Sequence, residues 1–201
     1  MSAKKVLVLL AEGFEEVEAV TPVDYLRRAG IQVTAAAVGK TRGEGLLVKG
    51  SHDIQIAADT TLESLAAEGK LDAAFWDGVV VPGGLPGADN LAASKETGAF
   101  LKAMAAAGKL VCAICASPAR VLAPLGLLAG KKFTCYPGEE AKVLAADSPG
   151  AQWKEDRVVV DGAVITSRGA GTAGEFSCAI VAALVSEDAA EKLRGRLLLC
   201  C

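Results

Sequence analysis

The chain predicts a doubly wound α/β domain, a mostly parallel sheet sandwiched by helices, and three observations carry that reading. Short apolar runs without alternation, from Lys5 to Ala11, Phe75 to Val81 and Lys109 to Ala113, fit strands buried on both faces. Alanine-rich segments of helical length lie between them, separated by glycine-marked turns. The 201 residues, 52% of them apolar, suffice for one sizeable core and contain no linker, repeat or low-complexity segment, so residues 1–201 read as a single domain.

The first strand, Lys5 to Ala11, ends at the turn Glu12-Gly13. Glu15 to Arg28 follows as a helix, because acids crowd its first turns, Arg27-Arg28 its last, and Gly30 closes it. Ile31 to Val38 is the second strand. Residues 46–58 alternate loosely, which suits a hairpin, and Thr61 to Glu68 is a short helix. The strand Phe75 to Val81 stops at Pro82-Gly83-Gly84, Ser94 to Ala107 is a helix, and Lys109 to Ala113 is the next strand. Arg157 to Val160 and Ala163 to Thr166 pair across Asp161-Gly162, a strong hairpin signal. Thr172 to Val185 is a buried helix and Glu187 to Arg194 another.

Composition excludes several classes of function. A net charge of −3 without a basic cluster argues against nucleic acid as a partner. Lys102, Lys109 and Arg120 interrupt the longest apolar region, so no membrane span is expected. Ala3-Lys-Lys5 leads straight into a strand, which does not suit a leader peptide. Six cysteines without framework-like spacing read as reduced thiols of a cytoplasmic protein.

Chemistry concentrates at Leu110-Val-Cys-Ala-Ile-Cys115-Ala-Ser-Pro118, where an apolar strand delivers a cysteine into a cramped turn. Pro118 suits a first helical turn, and free backbone N–H groups with the helix dipole would favour a thiolate at Cys115. The alternative is a small buried hydrophobe, the usual fate of a cysteine. Cys112 completes a C-x-x-C, but it lies in the strand rather than at the helix start, so it reads as core and not as a redox partner.

Among Glu15, Glu16 and Glu18, two are expected on a solvated helix face; Glu18, bracketed by Val17, Ala19 and Val20, is the best candidate to turn inward. Burial would raise its pKa and make it a protonated donor to a thiolate. Gly83-Gly84 reads either as a plain turn or as bare backbone whose N–H groups reach a reacting oxygen. Ser167 to Thr172 is either an anion-binding loop or a glycine turn with a threonine cap. His52, the lone histidine, sits in the hairpin region and reads as structural; with no histidine after Cys115, the class I amidotransferase pattern fails. The terminal Leu-Leu-Leu-Cys200-Cys201 has a prenylation reading, against which a docked apolar segment is preferred.

Taken in order, Ala11-Glu-Gly-Phe-Glu-Glu-Val-Glu18 with Pro22-Val-Asp24, Val81-Pro-Gly-Gly84, Ala113-Ile-Cys-Ala116, and Thr166-Ser-Arg-Gly169 with Gly171-Thr172 resemble the DJ-1/PfpI superfamily, in its DJ-1-like branch. The resemblance spans nearly the whole chain. It implies a flavodoxin-like fold, a homodimer, a Cys115 nucleophile with Glu18 as buried acid, and oxyanion donors at the N–H groups of Gly84 and Ala116, with Gly83, Tyr136 and Arg168 around the substrate. It further implies a cofactor-free, metal-free glyoxalase converting a small dicarbonyl to a 2-hydroxy acid, with possible deglycase activity. The alternative is an oxidative-stress sensor in which Cys115 becomes a sulfinic acid. Three positions depart from the pattern. Tyr136 stands where many members have histidine, His52 stands for an arginine and with Asp24 marks the expected dimer interface, and Ala170 replaces a proline, losing a rigid wall. Ala116, rather than histidine, argues against the peptidase-like branch.

Overall fold

The computed structural model describes residues 3–40, 44–145 and 148–199; Cys200 and Cys201, and with them the prenylation reading, lie outside the described residues. The chain opens with β1 (Lys5–Leu10), buried along most of its length as its unbroken aliphatic run requires. Helix α1 (Glu16–Arg28) is started by Glu15, whose carboxylate accepts from the Glu18 N–H at 2.7 Å. Pro22 lies inside this helix and removes the bond that the Glu18 carbonyl would otherwise accept. Then follow β2 (Gln32–Ala37) and a hairpin of β3 (Leu47–Lys49) and β4 (Gln55–Ala57), paired antiparallel as the alternation in 46–58 suggests.

Next come β5 (Thr60–Thr61), a two-residue edge strand, and α2 (Leu62–Ala67), capped by the Thr61 hydroxyl. The strand expected from Phe75 begins only at β6 (Gly78–Val81). Residues Ala73–Phe75 instead form a 3-10 turn, because the Asp72 side chain accepts from the Ala74 N–H and captures the chain before it extends. Helix α3 (Gly87–Ala93), absent from the sequence reading, leads to α4 (Lys95–Ala106) and then β7 (Leu110–Ile114).

The remainder is β8 (Lys132–Phe133), α5 (Glu140–Ala145), β9 (Gln152–Trp153), β10 (Val158–Asp161), β11 (Val164–Ser167), α6 (Ala173–Leu184) and α7 (Glu187–Leu197). The small parallel pair β8–β9 was not expected; β10 and β11 form the hairpin that Asp161-Gly162 announced.

Among the described residues the main sheet has seven strands in the order β10-β11-β7-β6-β1-β2-β5, parallel except for β10. Alternate residues of β1 feed two cores. Leu7 and Leu9 join the cluster containing Phe100, Leu101 and Met104, whereas Val6, Val8 and Leu10 join that containing Leu26, Phe176 and Ile180. Helices thus cover both faces, and the doubly wound single-domain expectation holds. From β1 the chain builds outward through β2 and β5, then crosses back to β6 on β1's other side. Ligands of such sheets lie beyond the carboxyl ends at this reversal. The register Val8↔Val80 and Val81↔Ala113 brings the ends of β1, β6 and β7 level there.

Candidate active site

Three loops meet above these strand ends. From β7, Cys115 enters the elbow with φ +65°, a left-handed conformation that non-glycine residues rarely adopt. The turn is held from three sides. The Cys115 N–H donates to the Ser167 carbonyl at 3.0 Å, the Cys115 carbonyl accepts from the Tyr136 N–H at 2.8 Å, and the Ser117 hydroxyl donates to the Pro82 carbonyl. A shape so constrained projects the sulfur away from the core, and Cys115 is part-exposed while Cys112, Cys135 and Cys178 are buried. Cys112 is core, as read from its place in the strand.

From β6, Gly83 passes so close that a Cβ there would sit 2.6 Å from the Cys115 Cβ and 2.7 Å from Glu18 Oε2. Gly84 has φ +87°, and a Cβ would lie 2.3 Å from the Glu15 backbone nitrogen. Both glycines are therefore required by close packing. From α1, Glu18 is 1% exposed and accepts from the Gly83 N–H at 2.9 Å, with the Ala170 N–H as a second backbone donor. Ala170, where the resemblance places a proline, thus supplies a donor that proline, lacking an N–H, could not.

Burial pushes Glu18 up to about 7, against the hydrogen bond with Cys115 and the backbone donors that pull it down. Burial and the adjoining Glu18 charge push Cys115 up to about 12, opposed by the N–H groups of Gly84 and Ala116, which donate to its sulfur. This corrects the expectation of a thiolate favoured by the elbow alone. The segment after Cys115 is a five-residue π-helical turn, Pro118–Leu122, too short for a substantial dipole. The pair instead loses its protons in separate steps and between them holds one proton and one negative charge. Donors wait at both positions of that charge, Gly84 and Ala116 at sulfur, Gly83 and Ala170 at the carboxylate.

A cleft of about 420 Å³ opens over the sulfur, lined by Glu15, Ser51, His52, Gly84, Leu85, Cys115, Ala116, Tyr136 and Glu139. The structure thus brings together Cys115, Glu18, Gly83, Gly84, Ala116 and Tyr136. Arg168 is turned away, its guanidinium donating to the Glu155 carbonyl at 2.8 Å, and does not line the cleft. Asp24 pairs with Arg28 one helical turn on. Thr172 closes its own loop onto Gly169 and Ser167 rather than capping α6.

Glu16 overturns the solvated-face reading, since it is 5% exposed. Its carboxylate gathers the β3–β4 turn, accepting from the His52 N–H at 2.7 Å, the Ile54 N–H at 3.4 Å and the Ser51 hydroxyl at 3.4 Å, with His52 Nδ1 at 3.0 Å. Burial would raise its pKa, but these donors outweigh burial and hold it below the ordinary carboxylate value. Glu15, Glu16 and His52 present ligand atoms within 4.8 Å of one another, a donor set of metal-binding type. Their oxygens are already engaged, Glu15 at the α1 N-terminus and Glu16 by the turn. Sequence reasoning also missed Arg120, which forks to Glu139 at 3.0 Å and to Asp89 at 2.8 Å, fixing one wall of the cleft.

The model of the DJ-1/PfpI family matches residues 4–183. The chain is 40% identical over 199 residues to the Parkinson disease protein 7 homolog of Danio rerio, covering 99% of each chain. It is 34% identical over 191 residues to the glutathione-independent glyoxalase DJR-1.2 of Caenorhabditis elegans, covering 94% of each. The crystal structure of Drosophila melanogaster DJ-1beta superposes with a TM-score of 0.87 at 37% identity over the full length of both chains.

Proposed function

The chain belongs to the DJ-1/PfpI family, and on that premise we propose that it is a glutathione-independent glyoxalase that converts methylglyoxal or glyoxal to a 2-hydroxy acid. The observation that carries this reading is the buried Glu18 carboxyl hydrogen-bonded to a strained, part-exposed Cys115 beneath a small cleft. In the tautomer with the proton on Glu18, sulfur is the nucleophile. It adds to the aldehyde carbon, and the new alkoxide, facing the Gly84 and Ala116 N–H groups, takes the Glu18 proton. Glu18 is thereby a carboxylate at the moment a base is needed. It removes the remaining hydrogen of that carbon, giving an enediolate; the hydroxyl proton of the first carbon passes to the oxygen of the second, and Glu18 returns its proton to the second carbon. The first carbon has been oxidised to a thioester and the second reduced to an alcohol, so no outside oxidant is involved. Water then releases the hydroxy acid and restores the thiol.

Tyr136 contributes a wall of the cleft. The name carried by the nematode relative supports the same assignment. The proposal extends to deglycation of early aldehyde adducts and to a cytoplasmic homodimer. For the dimer, α1 leaves Val17 and Val20 exposed and the hairpin region Leu47 and Ile54. Incubation with methylglyoxal without glutathione tests the activity. Lactate from the parent protein, absent from Cys115→Ser and Glu18→Gln, supports it; equal turnover by Glu18→Gln removes the proton-transfer role.

A second reading, an oxidation sensor, draws on the exposure difference among the thiols. Cys115 is the part-exposed one among the described cysteines, and a protonated Glu18 can donate to a sulfinate there. Mild peroxide should then add two oxygens to Cys115 before any other thiol, read by peptide mass spectrometry.

A further inference from the structure

Hydrolysis of an acyl group on Cys115 needs a base for a water that arrives from the open side of the cleft. Glu18, assigned above to hydrogens on the substrate, lies on the opposite side beneath the sulfur, 1% exposed and bound by backbone. On the open side of the cleft stands His52, which was read from sequence as structural. We infer that His52 is the base that activates water against an acyl group on Cys115, with Glu16 and Ser51 as its positioning residues. This inference rests on the glyoxalase reading for its substrate but has a test of its own.

The geometry is that of an oriented imidazole. The buried Glu16 carboxylate holds the His52 backbone N–H at 2.7 Å and ring Nδ1 at 3.0 Å, and the Ser51 hydroxyl lies 3.1 Å from the same nitrogen. An ionised carboxylate can only accept, so Nδ1 carries the hydrogen of the neutral ring. The lone pair is thereby placed on Nε2, the ring atom not engaged by Glu16. The ring lines the same cleft as Cys115, so Nε2 and the sulfur face one shared space. The groups that face it are Glu15 and Glu16 from α1 and Asp53 from its own turn, and the hydrogen bond to Glu16 with these carboxylates raises its pKa above the ordinary value. Across the cleft Glu139 is neutralised by Arg120 and Lys142. In the step itself, Nε2 takes a proton from water as the water oxygen bonds to the acyl carbon. The carbon–sulfur bond then breaks with its electron pair going to sulfur, and the proton passes from the ring to the departing thiolate or solvent.

Two assays separate this inference from the activity it serves. Cys115 is acetylated with p-nitrophenyl acetate, and loss of the acetyl group is followed by intact mass in the parent, H52Q and H52A. We expect the acetyl group to persist roughly 100-fold longer in both variants, and added imidazole to speed its loss in H52A well beyond its effect on H52Q and the parent, a difference that a merely structural role would not show. With methylglyoxal, H52Q should accumulate an acylated Cys115 that hydroxylamine captures as lactohydroxamate. Equal acetyl lifetimes in parent and H52Q overturn the inference even if lactate forms normally. A His52-dependent acetyl loss without any lactate from the parent would sustain the inference and reject the glyoxalase reading.

Discussion

Glu16 and Glu18 lie two residues apart on one helix turn, both nearly inaccessible to water, and have opposite acid–base character. Glu18 meets a sulfur and two backbone N–H groups, and burial prevails, lifting it to about 7. Glu16 meets the imidazole of His52, two backbone N–H groups and a hydroxyl, and the donors prevail, keeping it ionised. The burial penalty for charge is larger at Glu18 and the donor set richer at Glu16, so charge is disfavoured at one and held at the other. One carboxyl is thus poised to move protons at neutral pH, and its neighbour is a fixed anion that shapes a loop.

The sharpest way to break this contrast is Glu18→Gln. Turnover of methylglyoxal should fall by ~10²- to 10⁴-fold, the range for loss of a general acid–base. Stability should move the other way with pH. A folded-state pKa above the unfolded value favours the protonated fold, so this contribution is full below about 4.5 and is lost as pH rises through about 7. The melting-temperature advantage of Glu18→Gln over the parent should therefore widen between pH 5 and pH 8, by an amount equivalent to about 2–3 kcal/mol. In the parent, kcat should rise through pH 7 as the pair loses its first proton.

Glu16→Ala should instead cost about 3 kcal/mol in urea unfolding at neutral pH, since it strips the shared acceptor from His52, Ile54 and Ser51. That loss should fade as pH drops below the carboxylate range, the reverse of the Glu18 trend. If both variants followed the same pH trend, the contrast would be wrong.

Gly83→Ala tests how closely the Glu18 side is packed. Its Cβ would contact both Cys115 and Glu18, so destabilisation of about 1–3 kcal/mol with loss of turnover is expected from denaturation and rate measurements. The smallest effect should come from Ala170→Pro. Position 170 opens a 3-10 turn, where proline is tolerated, so the fold should persist while Glu18 loses one donor. The rise of kcat with pH should then shift upward by less than ~1 pH unit.

The parallel sheet was legible because strands buried on both faces must be continuously apolar, and the elbow because an apolar run ending in Cys115-Ala-Ser-Pro has few other uses. Glu18 was legible from its apolar neighbours and the resemblance together. Glu16 was not, since an acid in a first helical turn already satisfies the dipole, and its partners lie 36 residues away in His52 and 38 away in Ile54. The role of His52 was hidden for the same reason. Strands β8 and β9 span two residues each, too short for periodicity to register. Arg168 was placed in the cleft by analogy alone, and a local carbonyl claims it.

The most direct test of the central claim, that Cys115 and Glu18 exchange one proton to isomerise a bound aldehyde, is to run the reaction in heavy water. Methylglyoxal without glutathione should yield lactate carrying solvent deuterium at carbon 2, and Cys115→Ser and Glu18→Gln should yield none. Lactate from Glu18→Gln at the parent's rate and with the parent's deuterium content would contradict the account.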